Sequence, residues 1–331
     1  MRHYKISVGS FLWDSAPGGS PDPGALQVDL DITVVSADVG TGAGTVHIWG
    51  VGLQTILQAN QLNQKTISIY GGMARGLPLA KPQQFGLLAT GTVTQAYGDW
   101  EGVNQFLVIN FQPGGAAPAA PGPNSMPPKT PIVLNWQKGQ PFGPAVQTAL
   151  QGAFPGMSVI LSLAQQLTAQ QDQVGYYPSL RDFNYFLRRL TQQMIGGSYQ
   201  GVSIDASQGN LQVFDQQQQA STLSQEDFIG FPVWIEPQTI QCKLVMRGDI
   251  KLQSTITLPQ TWSNVGQSAG SSPGVYFNQA SLQGTFWVRS IRHVGNSRAP
   301  TGESWVTIVE AVANPPQSNS NANSQTVQGG N

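Results

Sequence analysis

The sequence predicts a mainly β protein in which two small antiparallel β-barrels flank a helix-containing α+β segment. Short runs of β-branched and aromatic residues, each bounded by turn residues, recur in the first and last thirds of the chain. An amphipathic helical pattern lies between them, after a stretch dense in Pro, Gly and Ala. These features divide the chain into a first barrel at 1–112, a linker at 113–131, a middle domain at 132–215, a second barrel at 216–314 and a polar tail at 315–331.

The first barrel is predicted from strict alternation. Apolar residues occupy every second position in the first long run, which is typical of a half-buried strand: Leu26, Val28, Leu30, Ile32 and Val34. Asp29 and Asp31 share the opposite, polar face. Residues 1–8 read as a further short strand, and the meander continues through 46–49, 65–70, 87–97 and 104–111, with a hairpin turn at 98–102.

The middle domain is predicted to contain helices at 141–154 and 179–194, a strand at 158–163 and a hairpin formed by 202–205 and 211–214. Ser179 and Asp182 have the spacing of a capping box, and Gly196-Gly197 ends the second helix. The glutamine run 216–219 is interpreted as a linker into the second barrel.

The second barrel is predicted from strands at 240–246, 250–258, 284–294 and 304–312. A polar segment at 295–303 joins the last two strands into a hairpin with Trp287 on one arm and Trp305 on the other. We expect these two indoles to form a stabilising aromatic pair across the hairpin.

This last block resembles the closing barrel of phage tail baseplate hub proteins, found in contractile tails and related injection machines. The resemblance lies in Phe231-Pro232-Val233-Trp234-Ile235, in the strands that follow, and in the final hairpin, which ends in Ser304-Trp305-Val306-Thr307. The sequence departs from the expected pattern at Gln253-Ser254, where a glycine is expected before the strand, so the turn there is built differently.

The resemblance implies a structural virion protein of the tail baseplate, assembled in the host cytoplasm. It would be a homotrimer whose six barrels form a ring that joins a sixfold tail tube to a threefold central spike, with a channel for DNA passage. Its partners would be the tail tube protein and the spike, with the tape measure and other baseplate proteins as further candidates. Asp29 and Asp31 are the candidate channel-lining residues, because an acidic lining repels passing phosphates.

Composition independently favours a structural subunit. Charged residues make up 10% of the chain, against roughly 25% in an average soluble domain. An amide- and hydroxyl-rich surface is buried against another protein at low desolvation cost. The net charge of -1 provides no basic field for nucleic acid, and no apolar stretch is long enough for a membrane-spanning helix. The single Cys242 excludes an internal disulfide.

The sequence contains no convincing catalytic, cofactor or metal site. The pattern at 266–270 matches a nucleophile elbow, but no acidic residue lies between it and His293. The glycine-rich stretch 40–44 continues as a strand instead of a helix, and His3, His47 and His293 are scattered. Asp99 and Glu101 flank Trp100 like a glycosidase acid pair, but alternate residues in a tight turn more often point to solvent. Arg247-Gly248-Asp249 has the sequence of an integrin-binding tripeptide and is interpreted as a turn between strands. Two other classes stay open: a tail-associated adhesin or cell-wall binding module, and a tail-associated cell-wall hydrolase.

Overall fold

The structure is a computed structural model of the 331-residue chain. It describes residues 2–35, 42–73, 84–113, 131–155, 157–164, 166–196, 199, 201–207, 210–215, 218–236, 239–252, 254–259, 284–299, 301 and 304–313. The glycine-serine loop at 266–270, the first two residues of the glycine-rich stretch at 40–44, the predicted polar tail and all but the end residues of the predicted linker lie outside these ranges.

The first barrel, the name used here for the first seven strands, follows the predicted alternation. Val28, Leu30 and Ile32 are buried while Asp31 between them is exposed. Between the fourth and fifth strands lies a short helix, α1, at Leu53–Leu57. The strands are β1 Arg2–Val8, β2 Phe11–Asp14, β3 Gln27–Val35, β4 Ala43–Trp49, β5 Thr66–Met73, β6 Gly86–Glu101 and β7 Asn104–Pro113.

The hairpin turn of the first barrel is later in the chain than the sequence predicts. The prediction placed the turn at 98–102, but β6 continues to Glu101 and the chain reverses at Gly102, which has a φ of 60°. Glycine adopts this left-handed conformation without steric cost. The arms of the hairpin are therefore longer than expected, and Trp100 lies near the tip.

The middle domain has its own core and two small sheets. Strand β12 pairs antiparallel with β11 and parallel with β9, while β10 pairs with β8. One half of the predicted capping box is present, since Ser179 Oγ accepts a hydrogen bond from the Asp182 backbone N–H at 3.1 Å. The second contact differs from the prediction, because the Ser179 hydroxyl donates to Asp182 Oδ2 at 2.6 Å. Its elements are β8 Ile132–Trp136, α2 Phe142–Ala153, β9 Ser158–Ser162, β10 Gln173–Tyr177, α3 Leu180–Ile195, β11 Ser203–Ser207 and β12 Asn210–Phe214.

The second barrel has two more strands than the four predicted from the run of apolar segments. The predicted glutamine linker was partly wrong, because a strand begins at Gln218 and pairs parallel with a later one. The run at 250–258 is a strand only at Ser254–Thr257. The strands are β13 Gln218–Thr222, β14 Val233–Glu236, β15 Thr239–Val245, β16 Ser254–Thr257, β17 Thr285–Asn296 and β18 Trp305–Ala313.

The two barrels form one curled 13-stranded sheet, which confirms the mainly β fold class. Its main path runs β14-β15-β18-β17-β3-β4-β7-β6-β5-β1-β2, and β16 pairs with β17 and β13 at the side. The sheet crosses from one barrel to the other where β17 pairs with β3. Each barrel and the middle domain has a separate cluster of buried apolar side chains.

The two barrels also repeat one topology. In chain order, β1, β3, β4, β5, β6 and β7 correspond to β13, β14, β15, β16, β17 and β18, and corresponding strands have corresponding neighbours. The long strand of each barrel has a register shift at a corresponding place, between Val93 and Gln95 in β6 and between Val288 and Ser290 in β17. Among the described strands, two departures are that β13 pairs parallel with β16, whereas β1 pairs antiparallel with β5, and that β2 has no counterpart.

Candidate functional site

The junction between the two barrels is the most elaborate polar and aromatic region of the described chain. Strands β17 and β3 pair antiparallel from Ser290 opposite Val35 to Asn296 opposite Asp29. Across this pairing, Arg292 Nε and Nη2 donate to the two carboxylate oxygens of Asp31 at 2.8 Å and 2.6 Å. The bidentate geometry fixes the relative position of the two strands, although both side chains are about half exposed.

The predicted channel-lining residues therefore have different surroundings. Asp29 accepts a hydrogen bond from Trp49 Nε1 at 2.7 Å through one oxygen, while its other oxygen, Oδ1, is buried without a hydrogen-bond partner in the described structure. Asp31 is compensated by Arg292. Both carboxylates lie on the same face of β3, opposite the buried apolar face. Whether that face lines a channel stays a prediction.

The predicted aromatic pair is wrong in its register. Trp287 lies opposite Val312 and Trp305 lies opposite Gly295, so the two indoles are at opposite ends of the β17–β18 hairpin. Sequence reasoning placed them on adjacent arms correctly, but which residues face each other depends on the turn and on the register shift between Val288 and Ser290.

Trp305 instead connects the two barrels. Its side chain is buried in the core cluster of the first barrel, together with Met246. Its indole N–H donates to the carbonyl oxygen of Gly72 in β5 at 2.8 Å. The ring lies against Gly295, where a Cβ atom would come within 2.5 Å of it. The hairpin of the second barrel therefore supplies a core residue of the first.

Trp287 connects the second barrel to the middle domain. The guanidinium of Arg188, on α3, lies 4.8 Å from the centroid of its ring. A cation over an indole face is an attractive arrangement, and the effect is largest where water is excluded. The half-buried indole thus helps to fix α3 against β17.

A buried charged cluster lies at the same junction. Arg247 Nε and Nη2 donate to Asp249 at 2.7 Å and 2.6 Å, and its Nη1 lies 3.3 Å from Asp227. From the first barrel, Gln84 Nε2 donates to Asp227 at 2.6 Å. The Arg247-Gly248-Asp249 tripeptide is therefore a structural element, because its arginine is almost completely buried.

These contacts determine the charge states of the cluster. Burial by itself would lower the pKa of Arg247, but hydrogen bonds and attraction from Asp249 and Asp227 raise it. Burial by itself would raise the pKa of Asp227, but the Ser224 backbone N–H and Arg247 lower it. The cluster is therefore held as ions inside the protein, which requires every partner to be in place.

His293 is buried beside this cluster. Its Nδ1 lies 3.0 Å from Thr307 Oγ1, which also accepts from the Arg247 backbone N–H. Burial, assisted by the positive charge of Lys251, lowers the pKa of His293 to about 3. It is therefore neutral at physiological pH. The sequence indicated an ordinary strand residue and gave no sign of this burial.

The remaining candidate residues from the sequence contact neighbouring side chains or backbone within the fold, or are buried. His3 Nε2 lies 3.1 Å from Asp14 Oδ1, and its ring stacks on Phe85. His47 stacks on Phe106. Asp99 accepts from the Trp100 backbone N–H at 2.7 Å. The burial of Cys242 raises the pKa of its thiol to about 12.

Neither a metal cluster nor a membrane-spanning helix is found in the part of the chain that the structure describes. No group of three or more His, Cys, Asp or Glu side chains there is placed to hold a metal ion. No helix among the same residues is both long and apolar enough to cross a bilayer.

The fold is similar to that of solved tail proteins. A tail protein from Neisseria meningitidis MC58 superimposes with a TM-score of 0.53 at 8% identity, covering 94% of this chain and 96% of that one. A 43 kDa tail protein of prophage MuSo2 from Shewanella oneidensis superimposes with a TM-score of 0.53 at 9% identity, covering 95% and 98%. No protein-family model and no curated protein matches the sequence.

Proposed function

We propose that this chain is a structural subunit of a tail baseplate, the hub that connects a sixfold tail tube to a threefold central spike. The observation that carries the proposal is the tandem repeat of one barrel topology within one continuous sheet. Three copies of such a chain contain six barrels. A trimer can therefore present six similar units to the tube and threefold symmetry to the spike.

The surface and the interior both suit this role. A chain with 10% charged residues presents amides, hydroxyls and apolar groups that desolvate at low cost when subunits associate. The two barrels are held together by strand pairing, by the buried Trp305 and by the Arg247 cluster. Such a rigid unit transmits load between neighbours without catalytic turnover.

The proposed partners are the tail tube protein and the central spike, with the tape measure and other baseplate proteins as further candidates, and the proposed place is the virion tail after assembly in the host cytoplasm. Asp29 and Asp31 are proposed to line a channel for DNA. The ion pair with Arg292 lowers the negative charge that Asp31 contributes, so Asp29 would carry more of the repulsion.

Native mass spectrometry of the purified chain, alone and with the neighbouring tail proteins, tests the proposal. We expect a trimer that binds tube and spike proteins. If the chain stays monomeric at high concentration, and also in the presence of the tube and spike proteins, the proposed hub role is contradicted. Binding to isolated cell-wall glycan would favour the adhesin alternative, and clearing on a zymogram would favour the hydrolase.

A further inference from the structure

Helix α3 of the middle domain has one buried side and one exposed side. Its buried side is formed by Phe183, Asn184, Leu187 and Thr191. On the exposed side, Arg181, Tyr185 and Arg189 follow one another at four-residue spacing. Residues at this spacing form a continuous ridge on the surface of a helix. The name exposed ridge is used here for these three residues.

The helix is basic in a chain that has few charges. Three of the 16 Lys and Arg residues of the whole chain lie within the 16 residues of α3, against a single acidic residue, Asp182. The carboxylate of Asp182 accepts a hydrogen bond from the Ser179 hydroxyl at 2.6 Å, in the first turn of the helix. The exposed side of α3 therefore carries a net positive charge.

Other arginines of this chain are held by contacts within it. Carboxylates, backbone carbonyl groups or an indole ring contact the guanidinium groups of Arg2, Arg188, Arg247, Arg292 and Arg298. By contrast, Arg181 and Arg189 have no hydrogen bond or ion pair with any described residue. The guanidinium groups of the exposed ridge are therefore available to a ligand from outside the chain.

Tyr185 lies between the two arginines and is 58% exposed. The guanidinium of Arg189 lies 5.7 Å from the centroid of its ring. This cation–π contact holds the arginine along the helix surface, so less side-chain freedom is lost when a ligand binds. Tyrosine and arginine are also the residues that are enriched at the energetic centres of protein interfaces.

Spacing and chemistry together indicate the kind of ligand. The planar guanidinium group matches the two oxygens of a carboxylate. Arg181 and Arg189 are separated by roughly 12 Å along the helix axis. Two charges at that distance do not make the dense basic field that binds a nucleic-acid backbone or an anionic membrane. The half-exposed ring of Tyr185 between them favours an apolar group at the centre of the contact.

We propose that the exposed ridge docks an acidic helical segment of another protein. Ridges of residues at four-residue spacing run parallel when two helices pack with these ridges interdigitated. Positions i, i+4 and i+8 of the partner helix then lie beside Arg181, Tyr185 and Arg189. The partner therefore carries Asp or Glu at i and i+8 and an apolar residue at i+4.

The described helices of a second copy do not have this pattern. Helices α1 and α2 contain no acidic residue, and α3 contains only Asp182. The partner is therefore a different protein. The surface also lies outside the sheet that joins the two barrels, so the inference goes beyond the proposed hub and does not depend on its trimer.

Selection from a displayed library of helical peptides with one randomised face tests the chemistry of the partner. Against the full-length chain, we expect enrichment of acidic residues at i and i+8 around an apolar residue. The double variant Arg181→Glu/Arg189→Glu should lose this enrichment and select basic residues at the same positions. Lys138→Glu is the matched control, because it makes the same charge change at an exposed position of the middle domain outside α3.

A synthetic copy of the most enriched peptide measures the affinity by fluorescence anisotropy. We expect Arg181→Ala/Arg189→Ala to raise the Kd at least about tenfold, because charge-assisted hydrogen bonds are lost. Added salt should weaken binding to the unmodified chain. Replacing both acidic residues of the peptide by Lys should abolish binding to the unmodified chain and restore it to Arg181→Glu/Arg189→Glu. Thermal melting should show that all variants fold, because the replaced side chains are exposed.

The outcomes separate this surface from the proposed function. Peptides without the acidic pattern, or a pattern unaffected by Arg181→Glu/Arg189→Glu, would overturn the inference. Binding of a DNA duplex or of phosphatidylglycerol vesicles that this double variant abolishes would overturn it in favour of a phosphate ligand. A monomeric chain that still selects acidic helices contradicts the hub trimer and supports this surface. A trimer that selects none supports the hub trimer and overturns this surface.

Discussion

Trp305 of the second barrel donates its indole N–H to the carbonyl oxygen of Gly72 in the first barrel, at 2.8 Å in a buried environment. The residues are 233 positions apart in the chain. Trp305 is therefore part of the core of the first barrel, although it lies in a strand of the second barrel. The two barrels are therefore stabilised as one unit.

Replacing Trp305 by Ala should destabilise both barrels together. Removing a fully buried large aromatic side chain costs about 3–5 kcal/mol of unfolding free energy. Trp305→Phe should cost less, although it leaves the Gly72 carbonyl without its donor. The measurement is chemical denaturation followed by far-UV and near-UV circular dichroism. Trp287→Ala is the matched control, and a loss equal to that of Trp305→Ala would contradict the assignment.

Replacing Arg247 by Ala should be more costly than replacing Arg292. Arg247 neutralises two carboxylates in a buried site, and removing one member of a buried ion cluster costs about 3–5 kcal/mol. Arg292 makes an equally bidentate pair at the surface, worth about 0–1 kcal/mol. Thermal melts of Arg247→Ala, Arg247→Lys and Arg292→Ala compare the two sites. Equal losses would mean that burial does not control these energies.

Stability should fall as the pH falls below 6.5, because of His293. Burial lowers its folded pKa from an ordinary value of 6.5 to about 3, so the unfolded chain binds one more proton between those values. The unfolding free energy then decreases by up to roughly 1.4 kcal/mol per pH unit. Between pH 4.5 and 6.5 this is separate from Asp227, whose pKa is lowered below its ordinary value of 3.8 and whose contribution is lost at lower pH.

The variant His293→Gln tests whether His293 causes this pH dependence, through the slope of its unfolding free energy against pH. Its unfolding free energy should change little across the same pH range, whatever its value at neutral pH. Denaturant titrations at half-unit pH steps measure both proteins, and an unchanged slope in His293→Gln would show that another group is responsible.

The Ser179 cap provides a local comparison. Ser179→Ala removes the acceptor for the Asp182 backbone N–H and should cost about 1 kcal/mol. Ser179→Asn should keep most of the stability, because an amide oxygen also caps the N-terminus and places no second carboxylate beside Asp182. Differential scanning calorimetry measures both. Full stability of Ser179→Ala would mean that water replaces the cap at no cost.

Much of the fold was predictable because it depends on neighbours in the sequence. Alternating apolar residues defined β3, the three- and four-residue spacing of Leu180, Phe183 and Leu187 defined α3, and Ser179 marked its beginning. The candidate sites were less predictable. Trp287 and Trp305 were assigned to the correct arms, but their register depends on a bulge that no local pattern shows.

The sequence by itself determined most strands of the first barrel, the two longer helices of the middle domain and the low fraction of charged residues in the chain, but it did not show β13 and β14 as strands. Only the tertiary structure decided that β17 pairs with β3, that Trp305 belongs to the first core, and that Arg247 and His293 are buried at the junction. The physical reason is the range of the interactions. Alternation and capping act over a few residues, whereas strand pairing and the desolvation of a charge depend on groups that folding brings together from more than 200 residues apart.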